Sequence, residues 1–157
     1  MNIEDQVVNL ELSKLLKEFG VEQISAFHWV DQSSENIKSY SLAYFALIGM
    51  YVDNADTNTI SAYTVAELMQ LLPAYVDIKT KEPFNIFYFK LQKRSALNIQ
   101  YIVNYECDST TVDFEGRFGA FSRLIEKNIY DYKLPDCLAK ILIYLLENNL
   151  IEMEKKQ

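Results

Sequence analysis

The chain has 157 residues, half of them apolar, 13% aromatic and 24% charged, with 15 basic against 22 acidic residues for a formal charge of −7. That length suits a single domain, 1–157, which buries about 68–70% of its unfolded surface and so folds without a metal or disulfide staple. The charge argues against DNA and anionic lipid as partners, because phosphate binding draws its affinity from Lys and Arg releasing counterions.

The opening residues 3–19 read as one amphipathic helix. Val8, Leu12, Leu15, Leu16 and Phe19 recur along a single face, with Glu11, Lys14, Lys17 and Glu18 turned outward. Gly20 stands where a left-handed C′ residue belongs, and Val21 folds back on the last turn. Ser25–Val30 reads as a strand, with Phe27 and Trp29 on one face and His28 on the other. The polar run 31–36 turns the chain. Tyr40–Val52 then reads as a returning strand buried on both faces, since its aromatic and β-branched residues favour a strand over a helix. After a loop over 53–61, Thr64-Val65-Ala66-Glu67 is a capping box that starts a second helix. Tyr63 and Leu68 form its hydrophobic staple, and Pro73 stops it.

Phe84–Leu91 and 97–107 form the clearest hairpin, turning at Lys93-Arg94-Ser95. Apolar residues at 97, 99, 101, 103, 105 and 107 alternate with polar ones, Ile102 excepted, which predicts one face on a core and one in water. Asp108–Thr111 reads as a turn or a further short strand. Phe118, Phe121, Leu124, Ile125 and Ile129 predict a helix near 118–129. The last helix runs from Pro135 to Ile151, with Leu138, Ile141, Leu142, Leu145 and Leu146 as its main stripe. Ile143, Tyr144 and Leu150 widen that stripe, which predicts a helix that is either central or at an interface. Two hairpins flanked by helices define an α+β fold with a largely antiparallel sheet, in the order α-β-β-α-β-β-α-α.

Catalytic signals are sparse. His28 is the sole histidine and sits in an aromatic strand, where a partly buried, hydrogen-bonded imidazole is the usual outcome. Cys107 and Cys137 read as small buried apolar residues, although a thiol in the first turn of a helix can be acidified by the dipole. Without a second His or a Cys-x-x-Cys there is no zinc pattern, and no metal or cofactor is expected. Glu115-Gly116-Arg117-Phe118-Gly119 lacks the ending of a phosphate loop and reads as a turn. Glu106/Asp108 and Asp113/Glu115 are paired carboxylates of the kind that serve acid–base work, and also of the kind common on wet strands.

The stretch Lys79, Lys81, Lys90, Lys93 and Arg94 interleaves with Phe87, Tyr88 and Phe89, a pattern that can hold single-stranded nucleic acid. A solvated lysine edge on a hairpin is the plainer explanation, and no tight nucleic-acid binding is expected against the net charge. Aromatic residues are the remaining feature. Trp29, Tyr40, Tyr44 and Tyr51 gather in the first hairpin and carry the mixed apolar and polar surface enriched at binding hot spots.

The run Cys137-Leu138-Ala139-Lys140-Ile141-Leu142-Ile143-Tyr144-Leu145-Leu146-Glu147-Asn148-Asn149-Leu150-Ile151 resembles the closing helix of small proteins encoded by tailed phages and prophages of gut bacteria. Tyr63-Thr64-Val65-Ala66-Glu67-Leu68 followed by Leu71-Leu72-Pro73 is similar to their central helix, as is the opening helix ending at Phe19-Gly20. The resemblance covers three helices, about a third of the chain, and implies a phage or mobile-element origin and an α+β fold, with no activity to carry over. The expected function is therefore a non-enzymatic accessory protein acting by protein–protein contact. An inhibitor or immunity-type binder of a basic partner is one form of it, and a small carboxylate-dependent enzyme is the alternative. Met1–Asp5 shows no signal-peptide pattern. The longest apolar run, 137–146, is broken by Lys140 and falls well short of the roughly 20 residues of a membrane span. With two distant cysteines, these features point to the bacterial cytoplasm, away from membranes. The surplus apolar surface of the closing helix predicts a homodimer.

Overall fold

The structure, a computed structural model, describes residues 2–33, 39–44, 59–77, 86–94, 100–107, 122–123 and 129–152. It is an α+β fold. A 3-10 turn at Ile3–Asp5 precedes α1 (Leu10–Glu18), β1 (Phe27–Asp31), β2 (Tyr40–Tyr44), β3 (Thr59–Ser61) and α2 (Val65–Leu71). Next come β4 (Tyr75–Asp77), β5 (Ile86–Arg94), β6 (Gln100–Cys107), β7 (Ser122–Arg123), β8 (Ile129–Asp131) and α3 (Leu134–Glu147). The two hairpins do not share a sheet; each seeds its own. One sheet has the order β2-β1-β3, and the other runs β4-β5-β6, with β7 and β8 both on the far edge of β6. All pairings are antiparallel.

The opening segment is not one helix. Val7 bridges Thr64, and the Val8 amide donates to the Tyr63 carbonyl at 2.9 Å, so residues 7–8 are extended. Helix α1 begins only after Asn9, whose side chain accepts from the Leu12 amide at 3.0 Å. The helical spacing of apolar residues runs through this break, but Asn is a far better N-cap than a helix interior residue, and here the cap wins. The other end matches expectation. Gly20 is left-handed (φ 79°), its amide reaches Lys17 O and the Val21 amide reaches Leu16 O, both at 3.0 Å, closing a Schellman motif.

Helix α2 carries the capping box in full, with both Thr64 and Glu67 bonds present and the staple residues Tyr63 and Leu68 buried. Helix α3 stops at Glu147, four residues short of Ile151. Asn149 takes the left-handed position (φ 51°), with Asn149 N to Leu146 O at 3.1 Å and Leu150 N to Leu145 O at 2.9 Å. Asn is the residue after Gly that best tolerates this cap, and Leu150 packs back on the core.

Five further expectations change. Thr59–Ser61, the end of the loop expected over 53–61, is strand β3, paired with β1. The helix near 118–129 is absent where it is described: Ser122–Arg123 and Ile129–Asp131 are strands paired with β6, whose open edge outcompetes helical spacing there. Residues 118–121 and 124–128 lie outside the described residues. Lys93 and Arg94 are not a turn but the end of β5, opposite Tyr101 and Gln100. The Lys93 ammonium stands 5.9 Å from the Tyr101 ring centroid, a cross-strand contact that extends the ladder. Strand β6 does not alternate: Ile102, Val103, Asn104 and Tyr105 are all buried in succession, as suits a strand with neighbours on both edges. The returning strand is described only as Tyr40–Tyr44, half-buried and ending on exposed Tyr44, so these residues are not buried on both faces. Residues 45–52 lie outside the described set.

The core joins both ends of the chain. Helix α3 packs against α1, α2, β6 and β8, and Leu138, Ala139, Ile141, Leu142 and Leu145 are wholly buried. Its broad apolar surface is consumed within the chain, which is the central arrangement and removes the motive for a dimer through this helix. Among the described residues no helix is long and apolar enough to cross a membrane.

Candidate functional site

The register places three of the four aromatic candidates on one face of the first sheet. Tyr44 opposes Phe27, Leu42 opposes Trp29, and Tyr40 opposes Asp31; residues directly opposite in an antiparallel pair share a face. Tyr51 lies outside the described residues. Their roles then divide. The Trp29 indole N–H donates to the Val8 carbonyl at 3.0 Å, fixing the extended entry to α1. The Lys14 ammonium of α1 stands 5.0 Å from the Tyr40 ring centroid, and Lys17 donates to the Thr59 carbonyl at 3.1 Å. Helix α1 thus lies on this face, and Trp29 and Tyr40 hold it there. Tyr44 is 49% exposed, with its ring 5.4 Å from that of Phe27.

Sequence patterning also missed two accessible apolar residues on α1. Leu15 and Phe19, both assigned to the buried stripe of the first helix, are 38% and 37% exposed. The cause is a roll of α1 about its axis: Ser13 and Leu16 are its innermost residues, so the far edge of the stripe turns outward. Leu15 and Phe19 are one helical turn apart and therefore adjacent. Glu11, four residues before Leu15, and Glu18, three after it, are exposed on the same side, and Glu22 is exposed just beyond the cap. The result is an apolar strip edged by carboxylates, of which Glu11 is paired with Lys14 at 3.1 Å. A serine in an otherwise apolar helical pattern was the one available sign.

The catalytic candidates take structural posts. His28 is buried in β1, and its Nε2 lies 2.8 Å from the Ser25 carbonyl, which can only accept, so this nitrogen carries the proton. Burial lowers its pKa, with the Ser25 bond and the nearby Glu67 charge opposing. Sequence reading also overlooked Glu67 as a hub. Beyond its cap bonds, its carboxylate accepts from the Ala26 amide at 2.9 Å and the Ser25 hydroxyl at 3.0 Å, tying α2 to the entry of β1. Burial pushes this carboxyl up, but the bonds from Thr64, Ala26 and Ser25 outweigh it and hold the pKa below the usual range. Cys137 is fully buried, and burial raises its thiol to about 11, so the helix dipole does not activate it.

Glu106 stands in β6 opposite Arg123, while Asp108, Asp113, Glu115, Gly116 and Gly119 lie outside the described residues. Among the described residues no group of three His, Cys, Asp or Glu could hold a metal ion. The basic and aromatic residues of β5 do not converge. Lys90 and Lys93 are three apart and so lie on opposite faces of the strand, Phe87 is buried and Phe89 half-buried, while Lys79 and Lys81 lie outside the described set. Tyr88 alone of the three aromatics is exposed, with its ring 6.4 Å from that of its register partner Tyr75.

No family model, no curated protein and no solved structure matches this chain.

Proposed function

We propose that the protein is a non-enzymatic accessory protein of phage or mobile-element type, working by protein–protein contact with a basic partner in the bacterial cytoplasm. The observation that carries this reading is the outward roll of α1, which leaves Leu15 and Phe19 exposed between Glu11, Glu18 and Glu22. An apolar strip supplies contact area, and a carboxylate edge on a chain of net charge −7 selects a basic partner and speeds its approach. Exposed Tyr44 adds a residue type enriched at hot spots. Among the described candidates, His28, Glu67 and Cys137 are each engaged in holding the fold.

The test is chemical cross-linking in host lysate, with mass-spectrometric identification, of the wild-type chain and of a Leu15→Asp, Phe19→Ser double variant. The expected result is a protein of basic isoelectric point, captured at low salt, released near ~0.5 M salt, and lost with the double variant. Capture that ignores the two substitutions, or selects only acidic proteins, refutes the proposal.

A further inference from the structure

A cleft of about 510 Å³ is lined by one residue from each sheet, by the end of the 3-10 turn and by the starts of α2 and α3. Its aromatic lining comes from three separate places in the chain: Phe27 of β1, Tyr101 of β6, and Tyr132 in the turn before α3. The Phe27 ring lies 5.4 Å from that of Tyr44, and the Lys93 ammonium stands 5.9 Å from the Tyr101 ring centroid, so both rings have a neighbour that is not itself part of the cleft lining. Tyr132 is 66% exposed.

Of the polar side chains in the cleft, the Thr64 hydroxyl is committed to Glu67, and the rest divide into two sets. Lys133 and Asp5 pair at 3.1 Å, and Lys133 also donates to the Glu4 carbonyl at 3.4 Å, so these charges neutralise each other. The Gln6 side-chain amide and the hydroxyls of Tyr101 and Tyr132 make no hydrogen bond to any described residue, the Gln6 backbone N–H being bonded to the Ile3 carbonyl. An uncommitted amide offers a donor and an acceptor side by side, and a phenol offers either. Three aromatic walls with such groups between them match a flat, uncharged molecule with hydrogen-bonding edges. The volume lies within the range of small-ligand sites and exceeds what a single side chain fills. We propose that this cleft binds a planar heteroaromatic ligand of purine-nucleoside size. The site is separate from the Leu15–Phe19 strip, so neither proposal depends on the other.

The test is an NMR titration of the full chain with adenosine, followed through the amides of Ala66, Tyr132 and Lys133 at the cleft. Saturable shifts with a dissociation constant of about 0.1–1 mM are expected, as befits a small neutral ligand held by a few rings. Tyr132→Ala, at an exposed position that leaves the core untouched, weakens adenosine about tenfold through the lost stacking. Tyr75→Ala, at a comparably exposed tyrosine of the second sheet, leaves it unchanged. Ala66→Trp fills the cleft and abolishes binding, and its near-ultraviolet circular dichroism shows whether the fold persists. Adenosine monophosphate binds no tighter than adenosine, since Lys133 in the cleft wall is already paired with Asp5. No saturation up to ~5 mM adenosine, equal weakening by Tyr132→Ala and Tyr75→Ala, or a clear preference for the monophosphate overturns the proposal.

Discussion

Replacing Glu67 by Gln tests the joint between α2 and the first sheet. The carboxylate accepts four hydrogen bonds: from the Thr64 amide at 2.7 Å, the Thr64 hydroxyl at 2.9 Å, the Ser25 hydroxyl at 3.0 Å and the Ala26 amide at 2.9 Å. Glutamine presents an NH2 group in place of one oxygen, so a donor meets a donor either at Ala26 or at the Thr64–Ser25 end. Losing one or more bonds worth about 0.5–1.5 kcal/mol each, and leaving a donor poorly satisfied, costs about 2–3 kcal/mol once partial exposure of the site is allowed for. Thr64→Ala removes only the hydroxyl half of the cap, and is expected to cost about 1 kcal/mol. Because the two residues share bonds, the double variant should fall short of the sum. Urea denaturation at neutral pH gives all three values. A Glu67→Gln loss no larger than that of Thr64→Ala refutes the role of Glu67 in fastening β1. The pH dependence supplies a second check. A carboxyl whose pKa is depressed in the folded state stabilises fully above its unfolded value near ~4.3, and that contribution is lost as pH falls through the folded pKa. The glutamine variant should lack this portion of the acid limb.

Three other outcomes are expected. His28 binds its proton less readily folded than unfolded, so stability is full above about pH 6.5 and declines as pH falls below it; urea midpoints across this range should drop, and His28→Gln should flatten them. Cys137, buried with its thiol raised to about 11, should stay unlabelled by iodoacetamide in the native chain and react after denaturation, as peptide mapping will show. Sedimentation equilibrium across the micromolar range should give a mass near 18.3 kDa, because α3 buries its apolar surface within the chain; a concentration-dependent rise toward twice that mass contradicts this.

Local signals account for the parts of the fold that were legible. The capping box at Thr64–Glu67, the Schellman turn at Gly20 and the stop before Pro73 are each decided within a few residues, by bonds the side chains and backbone make locally. The first hairpin was legible in part and the second in most of its length, since aromatic and β-branched residues mark strands whatever they later pack against. Competition between segments decided the rest. Residues 118–129 have helical spacing, but the edge of β6 takes up 122–123 and 129–131 as strands. Val8 sits in helical register with Leu12 and Leu16, yet Thr64 and Tyr63 claim the backbone groups of Val7 and Val8, and Asn9 makes the interruption inexpensive by capping α1. Neither partner is near in sequence, so no window of local pattern contains the answer.

The surface was harder to read than the core for the same reason. An apolar stripe fixes which side of a helix is greasy, but not the angle at which that side meets its support. In α1 the angle is set by contacts from distant segments: the Asn9 amide donates to the Asp136 side chain at 2.8 Å, Trp29 holds Val8, and Lys14 and Lys17 reach Tyr40 and Thr59. These anchors bring Ser13 inward and turn Leu15 and Phe19 out, so a serine lies at the centre of the packed face and two large apolar residues lie at its margin. Trp29 and Tyr40, two of the four residues read as a binding surface, are among the anchors that fix this angle. The aromatic signal in the first hairpin thus pointed to the α1 face through side chains that α1 itself occupies, because a residue well suited to gripping a partner is equally suited to gripping a helix of its own chain.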